Sequence, residues 1–165
     1  MKLTFRLAAF AASAALLASP VFAAATIKVA RSAELSASAA KTWETVHAFD
    51  GLHTWHPAVE KTEMKSGSDN KPGSVRVLTL KGGGTIVETL TKYSASRRTM
   101  TYRIDEPGPL PVVGYVSTIS VKPAMAGASV IRWTSSFKAK DGVSDADAKK
   151  AIEGVYDAGL DNLKK

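Results

Sequence analysis

Arg76 and Glu88 are the charges whose neighbours make them chemically interesting. They sit in Ser74–Leu80 and Thr85–Tyr93, two stretches rich in alternating apolar residues, and residues of equal parity on a strand share a face. Arg76 therefore goes with Leu78 and Leu80, and Glu88 with Ile86 and Leu90. If the leucines face a core, both charges face it too, and they must then be paired or hydrated because an isolated buried charge is very costly. His56 lies between Trp55 and Pro57. An imidazole there can hydrogen-bond a bound molecule or serve as an acid or base near neutral pH. The alternative is structural: Pro57 fixes a turn, Trp55 plugs the core and His56 bonds a backbone carbonyl. His56, Glu88 and Arg76 form the candidate catalytic set, able with a tyrosine to enolise and dehydrate a carbonyl compound. Tyr102, Tyr115 and Ser117 offer hydroxyls beside apolar strand faces, and Trp133, Ser135 and Phe137 share one parity on the last strand. These six read as pocket lining, or equally as aromatic core packing. His53 and His56 have a metal-compatible spacing with His47 as a distant third, but no further ligand follows at a suitable spacing and no metal site is expected.

Seven strand-like stretches position these side chains: Thr26–Leu35, Val59–Lys65, Ser74–Leu80, Thr85–Tyr93, Thr99–Asp105, Val112–Lys122 and Ala128–Lys138. After the first, Ser36 or Ser38 caps a helix whose apolar stripe is Ala39, Trp43, Val46 and Phe49, ended by Asp50-Gly51. Leu52–His56 adds one or two turns before Pro57. The other connections are short and turn-rich, among them Gly82-Gly83-Gly84 and Glu106-Pro107-Gly108-Pro109, which favours an antiparallel meander. The last helix is capped by Ser144, with Asp147 three residues on. Its apolar face is Ala151, Ile152, Val155, Gly159, Leu160 and Leu163. The expectation is an α+β domain, with a curved seven-stranded antiparallel sheet wrapped around the long C-terminal helix and a cavity between them. Val155 and Gly159 then face that cavity.

At the N-terminus Lys2 and Arg6 precede an apolar run, Leu7–Ala18, and small residues at Ala23 and Ala24 suit signal-peptidase cleavage. Residues 1–23 are read as a signal peptide and 24–165 as a single domain, placing the mature chain in the periplasm with no stable membrane anchor. A mature chain of about 140 residues buries a sufficient core without staples. The chain has no cysteine, so thiol catalysis, disulfide exchange and thiolate metal centres are excluded. Removal of Lys2 and Arg6 takes the net charge from +7 to +5. Outside the cytoplasm such a charge fits an acidic protein, an anionic surface or plain solubility rather than nucleic acid. Lys138, Lys140, Lys149, Lys150, Lys164 and Lys165 gather near the end of the last strand and helix, and read as a solvated face. No nucleotide loop follows the triple glycine, and neither a Gly-x-Ser-x-Gly elbow nor a telling carboxylate pair is present.

The order of Trp43, Phe49-Asp50-Gly51, Trp55-His56-Pro57, Gly73-Ser74-Val75-Arg76, Glu88-Thr89-Leu90, Tyr102-Arg103-Ile104, Leu110-Pro111, Tyr115, Trp133, Phe137 and Gly159-Leu160 resembles the Bet v 1-like, START-related superfamily (SRPBCC; polyketide cyclase/dehydrase and lipid transport). The resemblance spans the mature chain and implies a helix-grip fold. Within it, the chain is similar to the plant abscisic-acid receptors and to bacterial exported proteins that include a periplasmic accessory factor of methanol oxidation. The receptor branch implies a water-linked pocket network for Arg76 and Glu88, with a mutual ion pair at the cavity rim as the alternative. It also implies a gate at Gly82–Gly84 and a facing latch at Leu110-Pro111, although this sequence departs from both motifs. The implied ligand is a hydrophobic or amphipathic small molecule, held by Trp55, His56, Arg76, Leu78, Leu80, Glu88, Leu90, Tyr102, Tyr115, Ser117, Trp133, Ser135, Phe137, Val155 and Gly159. No cofactor is implied. An acidic periplasmic dehydrogenase or cytochrome is the implied protein partner. Cyclase/dehydratase chemistry and lipid transfer are the other activities this superfamily hosts.

Overall fold

A computed structural model describes residues 25–165; the expected signal peptide lies outside them. Seven strands form one antiparallel sheet in the order β1-β7-β6-β5-β4-β3-β2. They are β1 (Ile27–Leu35), β2 (Val59–Ser66), β3 (Val75–Leu80), β4 (Thr85–Ser94), β5 (Thr99–Glu106), β6 (Val112–Pro123) and β7 (Ser129–Ala139). From β2 to β7 each strand pairs with the next along the chain, as short loops dictate. The connection from β1 to β2 instead carries α1 (Ala39–Val46) and α2 (Leu52–Trp55), and sends these two strands to opposite edges.

Alternation sets which face is buried. On β1, Ile27, Val29, Ala33 and Leu35 are buried while Lys28, Ser32 and Glu34 face out. Arg31 has the parity of the buried set but reaches the helix α3 (Asp145–Leu163), where it pairs with Glu153 at 3.1 Å and Asp157 at 2.9 Å. Its side chain stays about one-third exposed (34%), which keeps the charge at the surface. On β6 the register slips by one residue between Val113 and Val116, with Gly114 at φ 62°. This bulge lets Val112 and Tyr115 both point inward although their parity differs.

Two helical expectations are revised. Ser38, rather than Ser36, caps α1 by accepting from the Lys41 amide, and the helix ends at Val46, before Phe49. Phe49 instead begins a 3₁₀ turn, Phe49–Gly51, and is fully buried. The distant loop after β2 provides its cap: Asp69 Oδ1 accepts from the amides of Phe49 (2.8 Å) and Asp50 (3.2 Å), and Asn70 Oδ1 also accepts from that of Phe49 (3.1 Å). Free amides at a helix start need such an acceptor, and nothing local provides one. The C-terminal helix starts as expected, with Ser144 Oγ accepting from the Asp147 amide at 3.1 Å. Its buried face is rotated, however. Ala148, Ile152, Tyr156, Gly159 and Leu160 are buried, while Ala151, Val155 and Leu163 are half-buried. The row at every fourth residue carries the tyrosine because the sheet offers its hydroxyl buried partners. The core fills the space between the concave face of the sheet, α3 and the two short helices. No helix among the described residues is long and apolar enough to cross a membrane.

Candidate functional site

Between the sheet and α3 lies a cavity of ≈ 340 Å³, within the usual range of small-molecule sites. Of the expected pocket residues, His56, Leu78, Leu80, Glu88, Tyr102, Tyr115, Trp133 and Val155 border it. So do Leu52, Ala58, Val59, Ile86, Ile104 and Ile152, which sequence reasoning did not select. Ile86 was within reach, since it shares parity with Glu88. At the mouth Gly82 and Gly83 of the β3–β4 hairpin face Pro109 and Leu110 of the β5–β6 loop. The hairpin can lie this close because Gly84, at φ 86°, has no side chain; a Cβ there would sit 3.3 Å from Pro109 Cδ.

The other expected pocket residues stand behind this wall, each for a visible reason. Arg76 is drawn back by its partners. It lies directly across from Glu88 in the β3–β4 register, its Nε and Nη2 donate to Glu88 Oε2 at 2.7 and 2.6 Å, and its Nη1 donates to the Phe49 carbonyl at 2.5 Å. The guanidinium sits in the corner between two rings, 4.2 Å from the Phe49 centroid and 5.1 Å from that of Tyr102. The ion pair is therefore buried, with Arg76 2% and Glu88 4% exposed, rather than seated at an open rim. Leu90 closes the sheet below it and is fully buried. Trp55 packs against Trp133, ring centroids 5.5 Å apart, and Phe137 stacks on Tyr115. Ser117 is bonded to Tyr156 and Trp133 behind the wall. Ser135 is buried, and its Oγ and Trp55 Nε1 lack hydrogen-bond partners among the described residues. Gly159 lets α3 approach, since a Cβ there would lie 2.7 Å from His56 Cδ2 and 3.1 Å from Trp133.

His56 resolves toward its structural alternative. Its Nε2 lies 2.9 Å from the Val155 carbonyl, so it carries the proton and donates, while Nδ1 accepts from the Ala58 amide at 3.3 Å. Both ring nitrogens are thus engaged by backbone, and the ring meets the cavity through its remaining surface. Burial lowers its pKa, outweighing the Val155 hydrogen bond that opposes it; Arg76 adds to the lowering. The imidazole is neutral near pH 7. His47 lies elsewhere, its Nδ1 near Asn70 (3.3 Å) and the Tyr93 hydroxyl (3.4 Å).

The hydroxyls form a chain, and counting protons orders it. Ser117 Oγ donates to the Thr134 carbonyl at 2.9 Å and accepts from Trp133 Nε1 at 2.9 Å and from the Tyr156 hydroxyl at 3.1 Å. Tyr156 having spent its proton, Tyr115 donates to it at 2.5 Å. Trp133 Nε1 also reaches the Tyr102 oxygen at 3.0 Å. Trp133 and Tyr156 stack at 4.3 Å. Burial raises the pKa of Tyr102, Tyr115 and Tyr156, so all three remain neutral phenols. Tyr156 was missed from the sequence. The available signal was its place four residues after Ile152 and four before Leu160.

Burial also raises the Glu88 carboxyl above its ordinary range, with Arg76 opposing. The two guanidinium hydrogen bonds hold it as the ionised partner. The site is therefore an apolar chamber with one carboxylate, phenols and few free lone pairs.

Comparison with known proteins agrees with this architecture. Residues 26–165 match the family described as polyketide cyclase / dehydrase and lipid transport. Among solved structures, the protein XoxI of Bacillus cereus is 31% identical, with a TM-score of 0.76 over 83% of this chain and 92% of that one. A protein of Bacillus thuringiensis is also 31% identical, with a TM-score of 0.77 over 84% and 96%. An aromatase/cyclase, ZhuI of Streptomyces sp. R1128, is 19% identical with a TM-score of 0.69 over 84% and 92%, a likeness of fold. A search of curated proteins gave no match.

Proposed function

The chain belongs to the polyketide cyclase/dehydrase and lipid transport family, and on that premise we propose that it is an exported, non-catalytic pocket protein. It holds a small apolar or amphipathic molecule and serves as accessory factor to a periplasmic redox enzyme such as a methanol dehydrogenase. The observation that carries the binding role is the cavity itself, whose wall is mostly aliphatic and aromatic and whose polar groups are held in a fixed hydrogen-bonded frame. A preformed apolar chamber binds without reorganising, which is where affinity for small molecules comes from. Export is supported by the charged and apolar pattern of residues 1–23. The accessory role is supported by the resemblance to the exported methanol-oxidation branch and by the basic net charge, +5 once Lys2 and Arg6 are removed from the +7 of the full sequence, which suits a long-range attraction to an acidic dehydrogenase or cytochrome.

The cyclase/dehydratase alternative needs a free base facing the substrate. His56 has both nitrogens committed to backbone, and Glu88, its Oε2 held by Arg76, presents only the Oε1 of an ion-paired carboxylate to the cavity, so the observations favour binding over turnover. Native mass spectrometry of the protein purified gently from its own host tests the proposal. Released small-molecule mass on denaturation is the expected result, together with a partner captured at low salt and lost at high salt. Bare protein, with neither ligand nor partner recovered, refutes it.

A further inference from the structure

The hydrogen-bond accounts of Tyr102 and Glu88 specify the polar end of the ligand. The Tyr102 oxygen accepts from Trp133 Nε1 at 3.0 Å, but its own proton has no acceptor among the described residues. Ser117 cannot take it, because its lone pairs already receive Trp133 and Tyr156 while its proton goes to Thr134. At Glu88 both guanidinium contacts land on Oε2, and Oε1 makes no hydrogen bond among the described residues. Oε1 is also absent from the buried, unpartnered side-chain atoms, so it has open space beside it. Both residues border the cavity, and the rest of its wall is chiefly Leu78, Ile86, Leu110 and Val155. A buried hydroxyl proton and a carboxylate lone pair left unmade are expensive, and a ligand that meets both recovers that cost.

We propose that Tyr102 and Glu88 form the head-group site of the cavity, and that it takes an uncharged apolar molecule ending in a hydroxyl. That group accepts from the Tyr102 phenol and donates to Glu88 Oε1, while the apolar body lies toward the mouth at Gly82–Gly83 and Leu110. Carboxylates are rejected. Arg76 stands behind Glu88 and off the cavity wall, so an entering anion meets the negative member of the pair first, in a medium that screens little. The inference rests on the pocket-binding reading and narrows it to neutral hydroxyl compounds, setting free fatty acids and other carboxylates aside.

Isothermal titration calorimetry with four probes of one shape tests it: naphthalene, 2-naphthol, 2-methoxynaphthalene and 2-naphthoate. The expected order places 2-naphthol about tenfold tighter than the methyl ether, which cannot donate to Glu88, with 2-naphthoate weakest. Tyr102→Phe should weaken 2-naphthol about tenfold and leave naphthalene unchanged. That variant keeps the ring against Arg76, and Trp133 keeps Ser117 as acceptor, so folding is retained. If naphthalene binds but 2-naphthoate matches 2-naphthol, or Tyr102→Phe leaves 2-naphthol unaffected, the head-group inference is overturned and the pocket stands. If none of the four binds, the pocket reading falls with it.

Discussion

Glu88→Ala is the sharpest perturbation the structure offers. It removes the partner of a guanidinium that is 2% exposed, bonded twice to the lost carboxylate and enclosed by Phe49 and Tyr102. One compensating bond remains, to the Phe49 carbonyl. Breaking a buried pair from one side costs about 3–5 kcal/mol, because the surviving charge stays desolvated. Domains of this size have about 5–15 kcal/mol to lose, so the variant should fold yet melt early. With a urea m-value of about 1.5–2 kcal/mol/M, the midpoint should fall by roughly 2–3 M. The double variant Arg76→Met/Glu88→Leu removes both charges and should lie within about 1 kcal/mol of the parent, or above it. Urea denaturation followed by tryptophan fluorescence measures all of these, together with Arg76→Met alone. A loss below 1 kcal/mol for Glu88→Ala would mean that water reaches Arg76 through the cavity. The argument that Arg76 is sealed behind its partner would then be wrong.

Three further outcomes follow from the site. Stability should fall on acidification below pH 6.5. His56 has its pKa lowered from 6.5 in the fold by burial, so the unfolded chain takes up its proton first. Its contribution is complete above pH 6.5 and is lost as the pH drops through the lowered value, with a slope of up to about 1.4 kcal/mol per pH unit; pH-dependent melts of the parent and His56→Gln measure it, and an unchanged slope in the variant would be against it. Gly159→Ala should destabilise by about 1–2 kcal/mol, since a Cβ only 2.7 Å from His56 Cδ2 outweighs the gain of up to about 1 kcal/mol in helix propensity; an increase in melting temperature would contradict the close approach. Asp69→Ala should cost about 1 kcal/mol by removing the only side-chain acceptor of the Asp50 amide among the described residues, while Asn70 Oδ1 still accepts from Phe49 at 3.1 Å, and amide exchange should accelerate most at Asp50 while that of α3 does not.

What the sequence determined by itself was the periodicity. Alternation in the strands and turn chemistry between them placed all seven strands within a residue or two. Equal parity with Leu78 and Leu90 puts Arg76 and Glu88 inside. Ser144 and Asp147 marked the start of the last helix for the same reason: a cap is a local interaction between near neighbours in the chain. The tertiary structure decided whatever depends on partners far apart in sequence. Asp69 caps a turn twenty residues before it, and so separates Phe49 from α1. The Val155 carbonyl, 99 residues away, accepts from His56 Nε2 and turns a candidate base into a structural strut. Tyr156 faces inward because Ser117 and Tyr115 receive it, a preference that helical spacing alone could not rank above Val155. Arg76 was legible as buried, but its withdrawal behind Glu88 required the register of two strands and the position of a carbonyl between helices. Local rules fix which face a side chain takes; which of its atoms remain free for a ligand is settled only when every neighbour's donors and acceptors have been assigned.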